Sequence, residues 1–83
     1  MRRDEIYERL TELFHTIFDD DSIVLGDGTT AANVEGWDSL TNIQLILGVE
    51  STFRIRLSAA QVAGLAQLGD LVIIIETKTT PPA

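Results

Sequence analysis

The 83-residue chain has no cysteine, few basic residues and no long apolar run. Without cysteine it can form neither a disulfide framework nor a thiolate metal site, so its stability must come from packing. The six basic residues argue against a nucleic-acid partner, because that binding needs Lys and Arg to neutralise phosphates. No membrane-spanning helix is expected. The charged start lacks the apolar segment of a secretory signal, so we expect a cytoplasmic protein.

The residues that are abundant are acidic and apolar. Thirteen acids against six bases give a net charge of −7, which favours basic protein partners reached by electrostatic steering. The hydrophobic fraction of 45% supports a core, and the length allows a single domain. We expect this domain to span residues 1–78, to be a monomer, and to be followed by a disordered tail over residues 79–83.

Two segments show clear helical periodicity. The first predicts a helix from about Arg3 to Phe18 with an apolar stripe formed by Ile6, Leu10, Leu13, Phe14 and Ile17. The second predicts a helix from about Ser39 to Thr52, whose core face carries Leu45, Val49 and Phe53. A second apolar stripe on this helix, formed by Leu40, Ile43 and Leu47, is either an exposed docking surface or packs under the preceding loop.

The last third of the chain predicts two further helices. Ser58 and Gln61 are spaced as a capping box that opens a short helix ending near Gly64. The β-branched run after Asp70 favours a strand by propensity. The offsets of Leu68, Leu71, Val72 and Ile75 instead fit a helix face, and a lone strand would have no partner, so we predict a helix from Gln67 to about Thr77. The expected fold is an all-α, antiparallel four-helix bundle with three longer helices and one short one.

Between the first two helices, residues 19–37 form a long segment without periodicity. We expect an ordered loop held by Ile23, Leu25 and Val34, with a short strand over residues 22–25 as the alternative. Its aspartates do not make a calcium loop, because the required glycine at the sixth position and glutamate at the twelfth do not occur together. His15 has no second imidazole on its helix, and no metal site is expected.

The loop ends at Gly36-Trp37-Asp38-Ser39-Leu40, where the apolar pattern changes to helical spacing. Ser39 therefore lies at the start of a helix, where unpaired N–H groups and the helix dipole favour a phosphate group. A hydroxyl at the end of an exposed loop is well placed to become a phosphate ester. The alternative is that Asp38 and Ser39 serve only as a helix cap.

The chain resembles the acyl carrier protein family over residues 6–75. The resemblance rests on Gly36-Trp37-Asp38-Ser39-Leu40, on Leu45, Val49, Phe53 and Leu57, and on Gly69-Asp70-Leu71. It implies that Ser39 carries covalent 4′-phosphopantetheine, whose thiol holds acyl or aminoacyl groups as thioesters. It also implies that Asp38 helps to seat the phosphopantetheinyl transferase and that Leu40 contacts partner enzymes. Those partners would be that transferase, an acyl- or aminoacyl-loading ligase, and a downstream synthase or transferase.

One departure from the family concerns the second helix. Thr41, Asn42 and Gln44 occupy positions that are often acidic in fatty-acid carriers, which leaves Glu50 as the only acid of the helix. The departure favours a specialised pathway, such as polyketide-like, lipid-modifying or aminoacyl-transfer chemistry. We expect docking through Leu40, Ile43, Gln44 and Leu47.

Two other functions remain open from the sequence. The first is a small helical interaction module without a prosthetic group, in which Ser39 is only a cap. The second is an enzyme, which is disfavoured because no acid/base pair or metal set is visible and Ser39 has no nearby base in the sequence.

Overall fold

The computed structural model describes residues 1–79, which form four α-helices and no strand. A single 3-10 turn lies in the loop at Ala31–Asn33. The helices are α1 (Arg3–Phe18), α2 (Ser39–Phe53), α3 (Ala59–Ala63) and α4 (Leu68–Thr79). The predicted all-α architecture is confirmed, including the helix over the β-branched run. Thr79, the first residue of the predicted tail, closes α4, and residues 80–83 lie outside the described part.

Helix α1 packs antiparallel to both α2 and α4. Its last residue, Phe18, lies beside Gly36 just before α2, whereas Arg9 shares a surface groove with Thr52 near the end of α2. Its start is joined to the end of α4 by an ion pair of 3.3 Å between Arg3 Nη2 and Glu76 Oε1. α1 is thus the central helix against which the two other long helices pack.

The core contains the apolar faces predicted from helical spacing, together with one residue of the loop. All of its members are at most 6% exposed: Ile6, Leu10 and Phe14 of α1; Leu45, Val49 and Phe53 of α2; Leu68, Leu71, Val72 and Ile75 of α4; and Val34. Leu13, Ile17 and Leu57 pack half-buried against this core. Burial at about 25 cal/mol per Å² of apolar surface is the main stabilising contribution in a domain without disulfides.

The loop between α1 and α2 is ordered, as predicted, and it adopts no strand. Val34 is buried, and Ile23 and Leu25 pack against the core. The loop also pairs with α4, since the Leu68 and Gly69 N–H groups donate to loop carbonyls, those of Thr29 at 2.7 Å and Asp27 at 2.8 Å. A helix start leaves such N–H groups without intrahelical partners. This pairing therefore provides hydrogen-bond acceptors for the start of α4 and also holds the loop against it.

His15 is a structural residue of the loop attachment. Its Nε2 lies 3.0 Å from the Ile23 carbonyl oxygen, and its Nδ1 lies 3.9 Å from Asp21.

Among residues 1–79, no helix combines the length and apolar character needed to cross a membrane.

Candidate functional site

Asp38 is the N-cap of α2. Its Oδ1 accepts the N–H groups of Leu40 and Thr41, each at 3.0 Å. In return the Asp38 N–H donates to Thr41 Oγ1 at 2.8 Å, which completes a capping box. The hydrogen bonds from the Thr41 N–H and hydroxyl favour the ionised carboxylate and lower the pKa of Asp38. The sequence identifies Asp38 as a capping residue, but it did not reveal that the Thr41 hydroxyl accepts a hydrogen bond from the Asp38 N–H.

The approach to this cap is fixed by Gly36 and Trp37. Gly36 has φ of 87°, a conformation that favours glycine, and its carbonyl accepts the Thr41 hydroxyl at 2.9 Å. The Trp37 ring packs edge-on against Phe14 with centroids 5.3 Å apart, and its Nε1 donates to Asn42 Oδ1 at 3.1 Å. Trp37 therefore connects the site to the core of α1, a role that the sequence motif did not reveal.

Ser39 is the first residue of α2 and is exposed to solvent. Because Asp38 provides the cap, the Ser39 hydroxyl is not needed for that purpose. It has no hydrogen-bond partner within residues 1–79. The arrangement therefore presents a fixed backbone and an unengaged, accessible hydroxyl at the positive end of a helix.

A cavity of about 370 Å³ opens beside Ser39. It lies between the loop, α2, α3 and the start of α4. Its apolar lining comes from Leu45, Ile46, Val62, Leu65, Leu68 and Leu71, and polar groups of Asp38, Ser39 and Asn42 also line it. Sequence periodicity could not predict this cavity, because four separate segments form its walls.

A comparison with solved structures decides the family. The chain is similar to the solution NMR structure of the holo acyl carrier protein from Geobacter metallireducens, with a TM-score of 0.81 and 36% sequence identity. The similarity covers 87% of this chain and 83% of that one. The chain belongs to the acyl carrier protein family. No protein-family model and no curated protein matched the sequence. It is a carrier protein and not an enzyme, in agreement with the expectation from sequence.

This acyl carrier protein exposes the second apolar stripe of α2. The exposed fractions of Leu40, Ile43 and Leu47 are 66%, 58% and 61%. Gln44 is also exposed, and it lies on the same helix between Ile43 and Leu47. The alternative that this stripe packs under the loop is wrong, because the loop instead turns toward α1 and α4 through its own contacts. The predicted docking residues thus share one accessible helix surface.

Proposed function

We propose that Ser39 carries 4′-phosphopantetheine as a phosphodiester and that its thiol bears acyl or aminoacyl groups for partner enzymes. The observation that supports this most directly is the separation of two tasks at the start of α2. Asp38 caps the helix through Leu40 and Thr41, whereas the exposed Ser39 hydroxyl remains unengaged. If Ser39 itself were the cap, modification would compete with the stability of the helix.

The residues around Ser39 suit a phosphodiester. The hydroxyl is accessible at the positive end of the α2 dipole, which stabilises added negative charge. Because Asp38 already occupies the N–H groups of Leu40 and Thr41, we expect the dipole to contribute more than direct hydrogen bonds from these two amides. The prosthetic group supplies the thiol for thioester formation, and the protein supplies the attachment point and its orientation.

Attachment requires a phosphopantetheinyl transferase and coenzyme A. The Ser39 oxygen forms a new bond to the phosphorus of the pantetheine phosphate, and the pyrophosphate bond of coenzyme A breaks. Adenosine 3′,5′-bisphosphate leaves, and the serine proton passes to a base of the transferase. The carrier needs no base of its own beside Ser39.

The cavity beside Ser39 supports an acyl cargo. Its walls include leucine, isoleucine and valine side chains, which favour an apolar chain over a charged aminoacyl group. Because α2 lacks the acids typical of fatty-acid carriers, we assign the protein to a specialised pathway with a dedicated loading ligase and a downstream synthase or transferase. Docking to these enzymes would use Leu40, Ile43, Gln44 and Leu47.

The competing function is an interaction module in which Ser39 stays unmodified.

Intact-mass measurement after incubation with coenzyme A and a broad-specificity transferase tests the proposal. The wild-type chain should gain the mass of one phosphopantetheinyl group, and Ser39→Ala should gain none while remaining folded, since Asp38 still caps α2. Ser22→Ala, the same change at an exposed serine of the loop, is the control and should be modified normally. Modification of Ser39→Ala, or an unmodified wild type, would refute the carrier site and favour the interaction module.

A further inference from the structure

Two exposed arginines, Arg54 and Arg56, follow the apolar stripe at the end of α2, and their charge indicates the kind of partner that binds there. We propose that the partner groove receiving α2 is apolar and carries carboxylates where it meets Arg54 and Arg56. The inference rests on the proposed function, because the partner meant is the phosphopantetheinyl transferase, which acts at Ser39. It assigns the Arg54 and Arg56 end of the docking surface a local charge opposite to that of the whole chain.

The apolar stripe and the arginines form one continuous surface. Leu40, Ile43 and Leu47 follow each other at helical spacing along α2. Beyond Leu47 the surface continues as a shallow depression of about 430 Å³. This depression is lined by Leu47, Glu50, Ser51, Arg54, Ile55 and Arg56. A partner that covers the stripe from Ser39 onwards therefore reaches the arginines next.

The positive charge at this end of α2 is not neutralised within the molecule. Arg54 and Arg56 are exposed, and neither forms an ion pair with any of residues 1–79. The nearest acid in sequence, Glu50, is half-buried, and its Oε2 accepts the Leu57 N–H at 2.9 Å. From Ser39 to Arg56 the chain has one acid and two bases, although the whole chain carries −7. Carboxylates in the partner would complement this local excess.

Arg54 occupies a position where the backbone favours glycine. It lies just after α2 with φ 56° and ψ 49°, and its N–H donates to the Glu50 carbonyl. Glycine is the usual residue in this left-handed conformation after a helix, since other side chains meet steric cost there. An arginine is therefore not explained by stability, and its exposed charge beside the Leu47 depression provides a functional reason.

A transient enzyme partner fits this surface better than a second copy of the chain. A stable dimer buries about 800 Å² on each partner, whereas the stripe offers three partly exposed side chains. Leu40 also adjoins Ser39, so a permanent neighbour on the stripe would cover the site that partner enzymes must reach. Small interfaces are typical of weak, transient encounters.

The experiment measures phosphopantetheinylation kinetics with the transferase of the source organism. Reversing both charges in Arg54→Glu/Arg56→Glu should raise KM about tenfold with little change in kcat, since two attractive contacts become repulsive. The increase should shrink as salt rises. Lys78→Glu, which reverses a single charge at an exposed residue of α4, is the control and should leave KM within about twofold.

A second variant separates docking from folding. Arg54→Gly removes the charge and suits the left-handed backbone, so it should raise KM while Tm stays equal to or above that of the wild type. An unchanged or lower KM in the arginine variants would overturn the inference. A dimer that forms through the apolar stripe of α2, detected by sedimentation velocity, would also overturn it. These results differ from failure of the proposed function, in which no variant and no wild-type protein would gain mass at all.

Discussion

At the scale of single residues, the site depends on which of two neighbouring side chains caps α2. Asp38 accepts two backbone N–H groups, and Thr41 returns a hydrogen bond to the Asp38 N–H. This leaves Ser39 in a fixed position with its hydroxyl available. The family motif Asp-Ser-Leu thus has a physical meaning in this chain: the aspartate holds the helix start, and the serine presents its oxygen to solvent.

Asp38 should therefore stabilise the fold in a pH-dependent way. Its pKa is lowered below 3.8 in the folded state by hydrogen bonds from Thr41. This contribution is present above pH 3.8, the unfolded value, and is lost as pH falls below it through the lower folded pKa. Asp38→Asn can still cap α2, so it should reduce the acid dependence of stability while retaining most of the Tm at neutral pH.

Thermal and urea unfolding at a series of pH values between about 2 and 7 measure this effect on Tm and on the free energy of unfolding. Asp38→Ala serves as the comparison, because it removes the cap at every pH and should lower Tm throughout. An acid dependence in Asp38→Asn identical to that of the wild type would show that other carboxylates dominate.

At the scale of elements, the two apolar faces of α2 differ in burial. Phe53 is 6% exposed and belongs to the core, whereas Leu47 is 61% exposed. Phe53→Ala should lower the free energy of unfolding by about 3–5 kcal/mol through the cavity it leaves. Leu47→Ala should change it by less than about 0.5 kcal/mol, as expected for a surface substitution. Leu47→Ala should instead raise the transferase KM, because it removes apolar surface from the docking stripe.

Denaturant unfolding and transferase kinetics on the same two proteins test this division. Ile43→Ala is a second member of the docking class, with 58% exposure. If Leu47→Ala unfolds the domain as readily as Phe53→Ala does, the stripe belongs to the core and the docking proposal is wrong.

The three long helices were predictable because each has an apolar face with the period of 3.6 residues, and α3 was predictable because Ser58 and Gln61 are spaced as a capping box. Even the β-branched run of α4 follows this rule, since Leu68, Leu71, Val72 and Ile75 all become buried. The 3-10 turn and the cavity were missed, because neither has a periodic signal. The turn depends on a local pairing, in which Asn33 Oδ1 accepts the Thr30 N–H at 2.9 Å. The cavity depends on four segments brought together by the fold.

At the scale of the whole molecule, the long loop joins α1 to α4. Tyr7 of α1 donates its hydroxyl to the Asp27 carboxylate, and burial together with this hydrogen bond raises the pKa of Tyr7 to about 12. The Asp27 carbonyl accepts the Gly69 N–H at the start of α4. These contacts link residues far apart in sequence, which is why sequence patterns predicted an ordered loop but not its course. They also fix the loop that leads to Ser39.

Gly69 lies close to the loop in this network, and it gives a test of the loop attachment. A Cβ atom on Gly69 would lie 2.9 Å from the Asp27 carbonyl oxygen, which is too close for an unchanged backbone. Gly69→Ala should therefore push the loop away from α4 and lower the free energy of unfolding by about 1–3 kcal/mol, although alanine favours helix. Gly28→Ala is the matched control, because a Cβ there meets no atom within 4 Å.

Chemical denaturation of both variants, with hydrogen exchange of the loop amides, measures the effect. Gly69→Ala should accelerate exchange at the Leu68 and Gly69 positions, whose N–H groups pair with the loop, and Gly28→Ala should not. Because the loop ends at the α2 cap, we also expect slower phosphopantetheinylation of Gly69→Ala at equal protein concentration. A Gly69→Ala protein as stable and as protected as the wild type would mean that α4 does not hold the loop, and the positioning of Ser39 would then depend on Trp37 and the core of α1 alone.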